Sequence, residues 1–517
     1  MKFLPLPTTT ATRAWIRCMS STSLTLKKNP TKRSPINNTN QKGTEDRCLT
    51  FPALGLQPHF VDALHTAFPD VLQPTEVQGK LIPEVLDRKD ILLKDVTGSG
   101  KTFGLVLGLL NKPRMVIEDE GKRRRVVTTL FIVPHRDLAH QIMHWIELLT
   151  KALKPSPPLS SIAQVLVRGS GLKRQDAITA LRETPPHVLV CTPQALWEVY
   201  KDDKEVLQLD TLSTVVVDEM DYMVETDPKK YKKHPGPTRD ILDVIYARRR
   251  ELGETEHEKE NKGEWINERE KEEGIPQLIV SSATLRVHFK NHLYAKSGWL
   301  NRHNVVKISG EKEESGKVTH SILVVTGNGV KNVEGAVKVE VAPEEAVMAN
   351  GEENEEAPAA EEYYDEKYGQ TPSPFDGEAL EAVATGFALD VPSTGLLVIP
   401  SWAPVQRAVY ELRTMGVDAE GLDMQKEKET GERGGPRLLV GTVATTRGVD
   451  MPWLSHVFIL GLPEGRIVDG YTHIAGRVGR FGRPGRVVTV VTPAECAKML
   501  AVLRTLRKTP VRFQHFD

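Results

Sequence analysis

The sequence predicts an α/β protein of two domains, each built on a mainly parallel sheet flanked by helices. Three observations point there. Short continuous apolar runs alternate with helix-like stretches before residue 310, a second such series follows an acidic stretch, and a glycine-rich turn joins an early strand to a strongly apolar helix. A length of 517 residues accommodates two or three domains at roughly 150 residues each.

The first series runs through Ile91 to Leu93, Val126 to Val133, Val188 to Cys191, Thr214 to Val217 and Gln277 to Val280. These runs are continuous rather than alternating, which suits strands covered by helices on both faces. The second series holds Gly395 to Ile399, Arg437 to Gly441, His456 to Leu460 and Val487 to Val491. Residues 344–376 carry eleven Asp or Glu against one Lys, and residues 250–276 carry ten Glu against five basic residues. Both read as solvated insertions or linkers, because so much charge cannot be buried. The resulting division is a first domain over 45–310 with a charged insertion at 250–276, a partly disordered acidic linker over 311–377, and a second domain over 378–517. No short-period repeat is present.

A net charge of −1 conceals strong segregation. Residues 1–44 hold eight Lys or Arg and no acid, are rich in Ser and Thr, and lack a long apolar stretch. They read as a mitochondrial transit peptide, the alternative being a basic disordered tail that touches nucleic acid. With the tail and both acidic stretches set aside, about +6 remains on the folded parts, which allows a polyanionic partner. Cys18, Cys48, Cys191 and Cys496 are too widely spaced for a zinc site or a disulfide framework and fit a reducing compartment. No apolar run approaches the ~18 residues of a membrane span. With 39 Gly, 34 Pro and 6% aromatics, collagen-like and wholly disordered readings are excluded.

Chemistry is concentrated in Asp95-Val96-Thr97-Gly98-Ser99-Gly100-Lys101-Thr102, between the strand Ile91 to Leu93 and the helical run Phe103 to Leu110. Backbone N–H groups of such a turn curl around phosphates at the positive end of a helix. Lys101 reaches the outer phosphates, and the Thr102 hydroxyl suits Mg2+. The general pattern has Gly or Ala where this chain has Asp95. Downstream, Asp218-Glu219-Met220-Asp221 follows an all-valine strand, where α/β sheets present their ligands. Asp218 can hold the magnesium, and Glu219 can orient an attacking water.

With these pieces in order, the chain resembles the DEAD-box RNA helicases over residue 51 to about 490, with Asp-Glu-Met-Asp where the family has Asp-Glu-Ala-Asp. The resemblance implies two RecA-like domains and an RNA-stimulated ATPase with ATP and Mg2+ as cofactors. Phe51 would stack on adenine and Gln78, in Pro74-Thr75-Glu76-Val77-Gln78, would read its edge. Pro134 and Arg136 resemble the first RNA-backbone motif, Gly169 a glycine pair, and Thr192 the next backbone turn. Ser282 and Thr284 match the element that couples hydrolysis to RNA through Asp221. In the second domain Thr442 would touch an RNA phosphate and Asp450 the ATP ribose. His473 stands in the coupling motif that also supplies the arginine fingers Arg477 and Arg480.

Ile474, Val443 and Gln194-Ala195 depart from the pattern, leaving the ATP site nearly whole but RNA contacts fewer. The charged insertion, acidic linker and transit-like start most resemble divergent fungal mitochondrial members that help assemble the ribosomal large subunit. The expected partners are RNA, mitochondrial ribosomal RNA above all, with pre-ribosomal proteins possible, the chain itself acting as a monomer in the matrix. An ATP-gated RNA clamp that closes without separating strands is the rival reading, and a DNA helicase a third.

Overall fold

Strands covered on both sides need apolar residues at successive positions. In β1 (Asp90–Lys94), Ile91 and Leu93 join the core on one face and Leu92 the core on the other. Val216 and its neighbours Val215 and Val217 divide in the same way in β7 (Thr214–Val217). The structure is a computed structural model. It describes residues 49–516 apart from 96–97, 120–121, 170–172, 225–235, 248, 250–274, 283–284, 286, 311–317, 328, 339–366, 370, 424–435, 452 and 480–482. The transit-like tail and most of both acidic stretches therefore lie outside the described residues.

Besides β1 and β7, the first domain contains a small antiparallel hairpin, β2 (Val116–Asp119) with β3 (Lys122–Arg125). Its main strands are completed by β4 (Thr129–Ile132), β5 (Ala163–Leu166), β6 (Val188–Cys191), β8 (Gln277–Ser282) and β9 (Val305–Ser309). The seven-stranded sheet runs β5-β6-β4-β7-β8-β1-β9, and every pairing in it is parallel. The second domain adds β10 (Val318–Val325), β11 (Val330–Asn332), β12 (Thr394–Ile399), β13 (Ala419–Gly421), β14 (Arg437–Thr442), β15 (His456–Leu460) and β16 (Gly485–Val491). Its order is β11-β10-β16-β15-β12-β14-β13, parallel except for the β10–β11 edge.

This topology corrects one boundary. The second domain begins at Val318, not 378, because β10 and β11 lie inside the stretch expected to be linker. Val318 to Val324 pair in register with Gly485 to Val491, and Ile322 and Leu323 are fully buried. Residues just before 378 are also anchored. Buried Arg407 donates to the Tyr368 and Thr371 carbonyls at 2.7 and 2.9 Å. Among the described residues, no helix is long and apolar enough to cross a membrane.

Candidate active site

The first-domain motifs from the phosphate loop onward leave the carboxyl ends of parallel strands, so the sheet brings them to one edge. The phosphate loop follows β1 and leads into α1 (Lys101–Leu110). Gly100 caps that helix at φ 85°, and a side chain there would be strained and would place Cβ 2.6 Å from Gln78 Nε2. Gln78 Nε2 donates to the Gly100 carbonyl at 3.1 Å, its Oε1 accepts from Thr75 N, and Thr75 Oγ1 donates to the Ser99 carbonyl at 2.9 Å. This capping box braces the loop from beneath. Thr97 lies outside the described residues, while Gly98 takes a φ of 89°.

Phe51 departs from the adenine reading. Each end of the Gln78 amide has one protein partner, Gly100 and Thr75, and the amide has a second N–H and a second oxygen lone pair beyond these. Phe51 is 1% exposed inside the first core, its ring edge-on to His65 at 6.5 Å, so it offers no open face to a base. The bond network of the loop and the need to fill the core under the preceding helices account for both placements.

Lys101 is buried, its Nζ donating to the Asp95 carbonyl at 3.0 Å, and burial lowers its pKa against the pull of Glu219, Asp218 and Asp95. Thr102 Oγ1 donates to Asp218 Oδ2 at 2.7 Å. Asp218 and Glu219 are 1% and 3% exposed; burial raises both carboxyl pKa values, each then raised further by a neighbouring acid, Glu219 for Asp218 and Asp221 for Glu219. Glu219 adopts left-handed φ 54°, an unusual conformation for a side-chain-bearing residue and one found at functional turns. Ser282 ends β8 in full burial, and Thr284 lies outside the described residues.

The second domain closes over this edge. His473 Nδ1 stands 3.7 Å from Glu219 Oε2, but burial and the adjacent Arg447 push its pKa down to about 3, so the neutral ring forms no ion pair. Arg477 is 1% exposed; its Nε donates to the His473 carbonyl and one Nη to the Val449 carbonyl. Burial lowers its pKa to about 10, leaving it charged at neutral pH, with Glu219 and Asp218 among the groups it feels. Arg480 lies outside the described residues. Among the described residues, Glu219 Oε2, both His473 nitrogens and Arg477 Nη2 are buried with no hydrogen bond. Such a cleft fits a polyanion. The hydroxyl of Thr102 and carboxylate of Asp218 are hard oxygen donors of the kind Mg2+ takes, and Lys101 and Arg477 supply positive charge.

The DEAD/DEAH box helicase family model matches residues 75–288 and the helicase conserved C-terminal domain model residues 420–482, together more than half of the chain. The chain belongs to the DEAD-box RNA helicase family. Probable ATP-dependent RNA helicase DDX28 of Mus musculus is 33% identical over 177 residues, 34% of this chain and 31% of that protein. ATP-dependent RNA helicase MAK5 of Debaryomyces hansenii is 25% identical over 421 residues, 78% of this chain and 47% of that protein. This chain thus spans less than half the length of these curated relatives. Solved structures share the fold. S. cerevisiae Dbp5 bound to RNA and ADP BeF3 superposes with TM-score 0.57 at 18% identity, covering 88% of this chain and 93% of that one. Mss116p bound to ssRNA and AMP-PNP gives 0.58 at 18%, covering 91% and 80%. Two RecA-like domains are thereby established.

In this DEAD-box chain the first-domain residues expected at RNA follow strands of the same sheet edge, and Thr442 ends a strand of the second sheet. Pro134 follows β4, and half-exposed Arg136 reaches Asp423 of the second domain at 3.8 Å. Gly169 takes φ 74° with Arg136 Nη1 4.0 Å from where its Cβ would be. Thr192 caps the helix Pro193–Asp202, and Thr442 closes β14 by accepting from Thr445 N.

Two interdomain residues carry more than sequence reading gave them. Gln141 grips the backbone of Asp450, donating from Nε2 to its carbonyl at 2.7 Å and accepting its N–H at 2.8 Å. Arg447 lies 3.9 Å from Glu219 Oε2 and 4.8 Å over the Tyr222 ring, while its carbonyl accepts from His135 Nε2. Gly448 makes the approach possible, since a Cβ there would sit 2.6 Å from Leu138. Nothing in a single sequence pairs position 141 with 450. Gln141→Ala is expected to lower the RNA-stimulated turnover number by about tenfold with little change in ATP affinity, because it removes two buried interdomain hydrogen bonds of about 1 kcal/mol each. Steady-state kinetics and nucleotide titration together check this.

Proposed function

We propose that this chain is an RNA-stimulated ATPase, an ATP-dependent RNA helicase that remodels structured RNA or RNA–protein complexes in mitochondria. The observation that carries this reading is the convergence of Lys101, Thr102, Asp218 and Glu219 from one domain with Arg447, His473 and Arg477 from the other. Lys101 and Thr102 hold phosphates, and Thr102 with Asp218 would hold Mg2+, which neutralises charge on the phosphates when bound. Glu219 orients water, and Arg477 and Arg480 stabilise the charge of the transferring phosphoryl group. Pro134, Arg136, Gly169, Thr192 and Thr442 form the RNA path, which reads backbone rather than base edges. His473, Asp221, Ser282 and Thr284 couple the two, and Asp450 takes the ribose.

The mitochondrial setting rests on the basic, acid-free residues 1–44, and a role in ribosome large-subunit assembly on resemblance in insertion pattern alone. An ATP-gated clamp is the second reading. Ile474, where the family pattern has an arginine, is 2% exposed in the second domain's core and contributes no guanidinium to the cleft. Displacement of a short strand from an RNA duplex decides between them. ATP-dependent release supports the helicase, and long-lived ATP-dependent binding without release supports the clamp. A reporter carrying residues 1–44 that stays outside mitochondria removes the proposed location.

A further inference from the structure

We infer that Asp95 is a positioning residue that ties the phosphate loop to the end of the first domain's last strand, and that its contact with Gly310 sets the carbonyl that holds Lys101 and thereby nucleotide affinity. This rests on the reading of the loop as the ATP site. The usual phosphate loop has a small residue at this position. Here β1 and β9 pair in parallel up to Lys94 with Ser309, so Asp95 and Gly310 are the next residues past the paired register. Asp95 is 6% exposed. A Cβ on residue 310 would lie under 3.0 Å from Oδ1, Cγ and Oδ2 of Asp95, so the carboxylate occupies the space that the glycine leaves open.

Gly310 does not have a left-handed φ. Space, not backbone conformation, is what requires glycine there. The same Asp95 accepts from Lys101 Nζ through its carbonyl at 3.0 Å and donates its N–H to the Ser282 carbonyl at 3.4 Å. It therefore joins the phosphate-binding lysine, the end of β8 and the end of β9. β9 is the last strand of the first sheet, and β10, at Val318, opens the second. A shift of Gly310 reaches, through the Asp95 side chain, the carbonyl that holds Lys101.

The test is a double-mutant cycle on the full chain, with affinity for a fluorescent ATP analogue and the thermal midpoint as readouts. Gly310→Ala is expected to weaken nucleotide binding about tenfold, within the range of couplings between touching residues. In the Asp95→Ala background, Gly310→Ala is expected to cost less than about twofold, because the carboxylate it strikes is gone. Asp95→Asn keeps the shape and is expected not to rescue. Equal effects of Gly310→Ala in the unmodified chain and in the Asp95→Ala background overturn the coupling. If Gly310→Ala alone fails to fold, the double variant is expected to fold, and its failure to do so overturns the contact. An unmodified chain that binds no analogue overturns the ATP reading itself and the coupling with it, whereas binding without rescue overturns the coupling alone.

Discussion

Arg477→Ala is expected to slow RNA-stimulated ATP hydrolysis by the full chain by about a thousandfold, the scale of a lost arginine finger, while ATP affinity changes far less. Lys101, Thr102 and Asp218, the groups proposed to hold nucleotide and metal, all belong to the first domain and bond within it. Arg477 arrives on the helix end after Ile467–Ala475 of the second domain and feels the charges of Glu219 and Asp218 in the first. The guanidinium is buried and still charged, so its removal takes away positive charge where dielectric screening is weakest. Its two bonds to the His473 and Val449 carbonyls also hold the local turn, and the thermal midpoint of the variant separates this contribution from catalysis. Comparable turnover in Arg477→Ala and unmodified chain sinks the assignment.

Glu219→Gln is expected to reduce hydrolysis by about two orders of magnitude or more, the scale of a lost general base. ATP-dependent RNA binding is expected to survive, because the proposed phosphate and metal ligands are untouched. Burial raises the Glu219 pKa above its ordinary 4.5, with Asp221 adding to the rise and Lys101 opposing it. The protonated, inactive form therefore persists to higher pH than for an exposed glutamate. The rate of the unmodified chain should rise with pH along an acid limb lying above 4.5, and the Gln variant should lack that limb. A Gln variant with an unchanged rate removes Glu219 from the chemistry and leaves the clamp.

Motifs whose parts are close in sequence were legible. The phosphate loop and the carboxylates after the valine strand need only a strand, a turn and a few spaced residues, and the structure places Thr102 beside Asp218. Continuous apolar strands were equally visible, since burial on two faces removes polar alternation. The strands missed are informative. β13 is three residues long and carries a glutamate, β5 is a half-buried edge, and apolar β10 was overshadowed by the acidic stretch beyond it. Phe51 misled because a core phenylalanine and a base-stacking one look alike in sequence, and only its burial separates them. The grip of Gln141 on Asp450 spans 309 positions and depends on how two domains meet, which local pattern does not encode.

The central claim is that one hydrolytic site is completed from two domains. Steady-state ATP hydrolysis by the full chain, titrated with single-stranded RNA beside Arg477→Ala, tests it most directly. The account predicts a rate that climbs with RNA to a plateau in the unmodified chain and stays flat and low in the variant, with both binding ATP. A rate independent of RNA and retained by Arg477→Ala would contradict it, because the site would then be whole within the first domain.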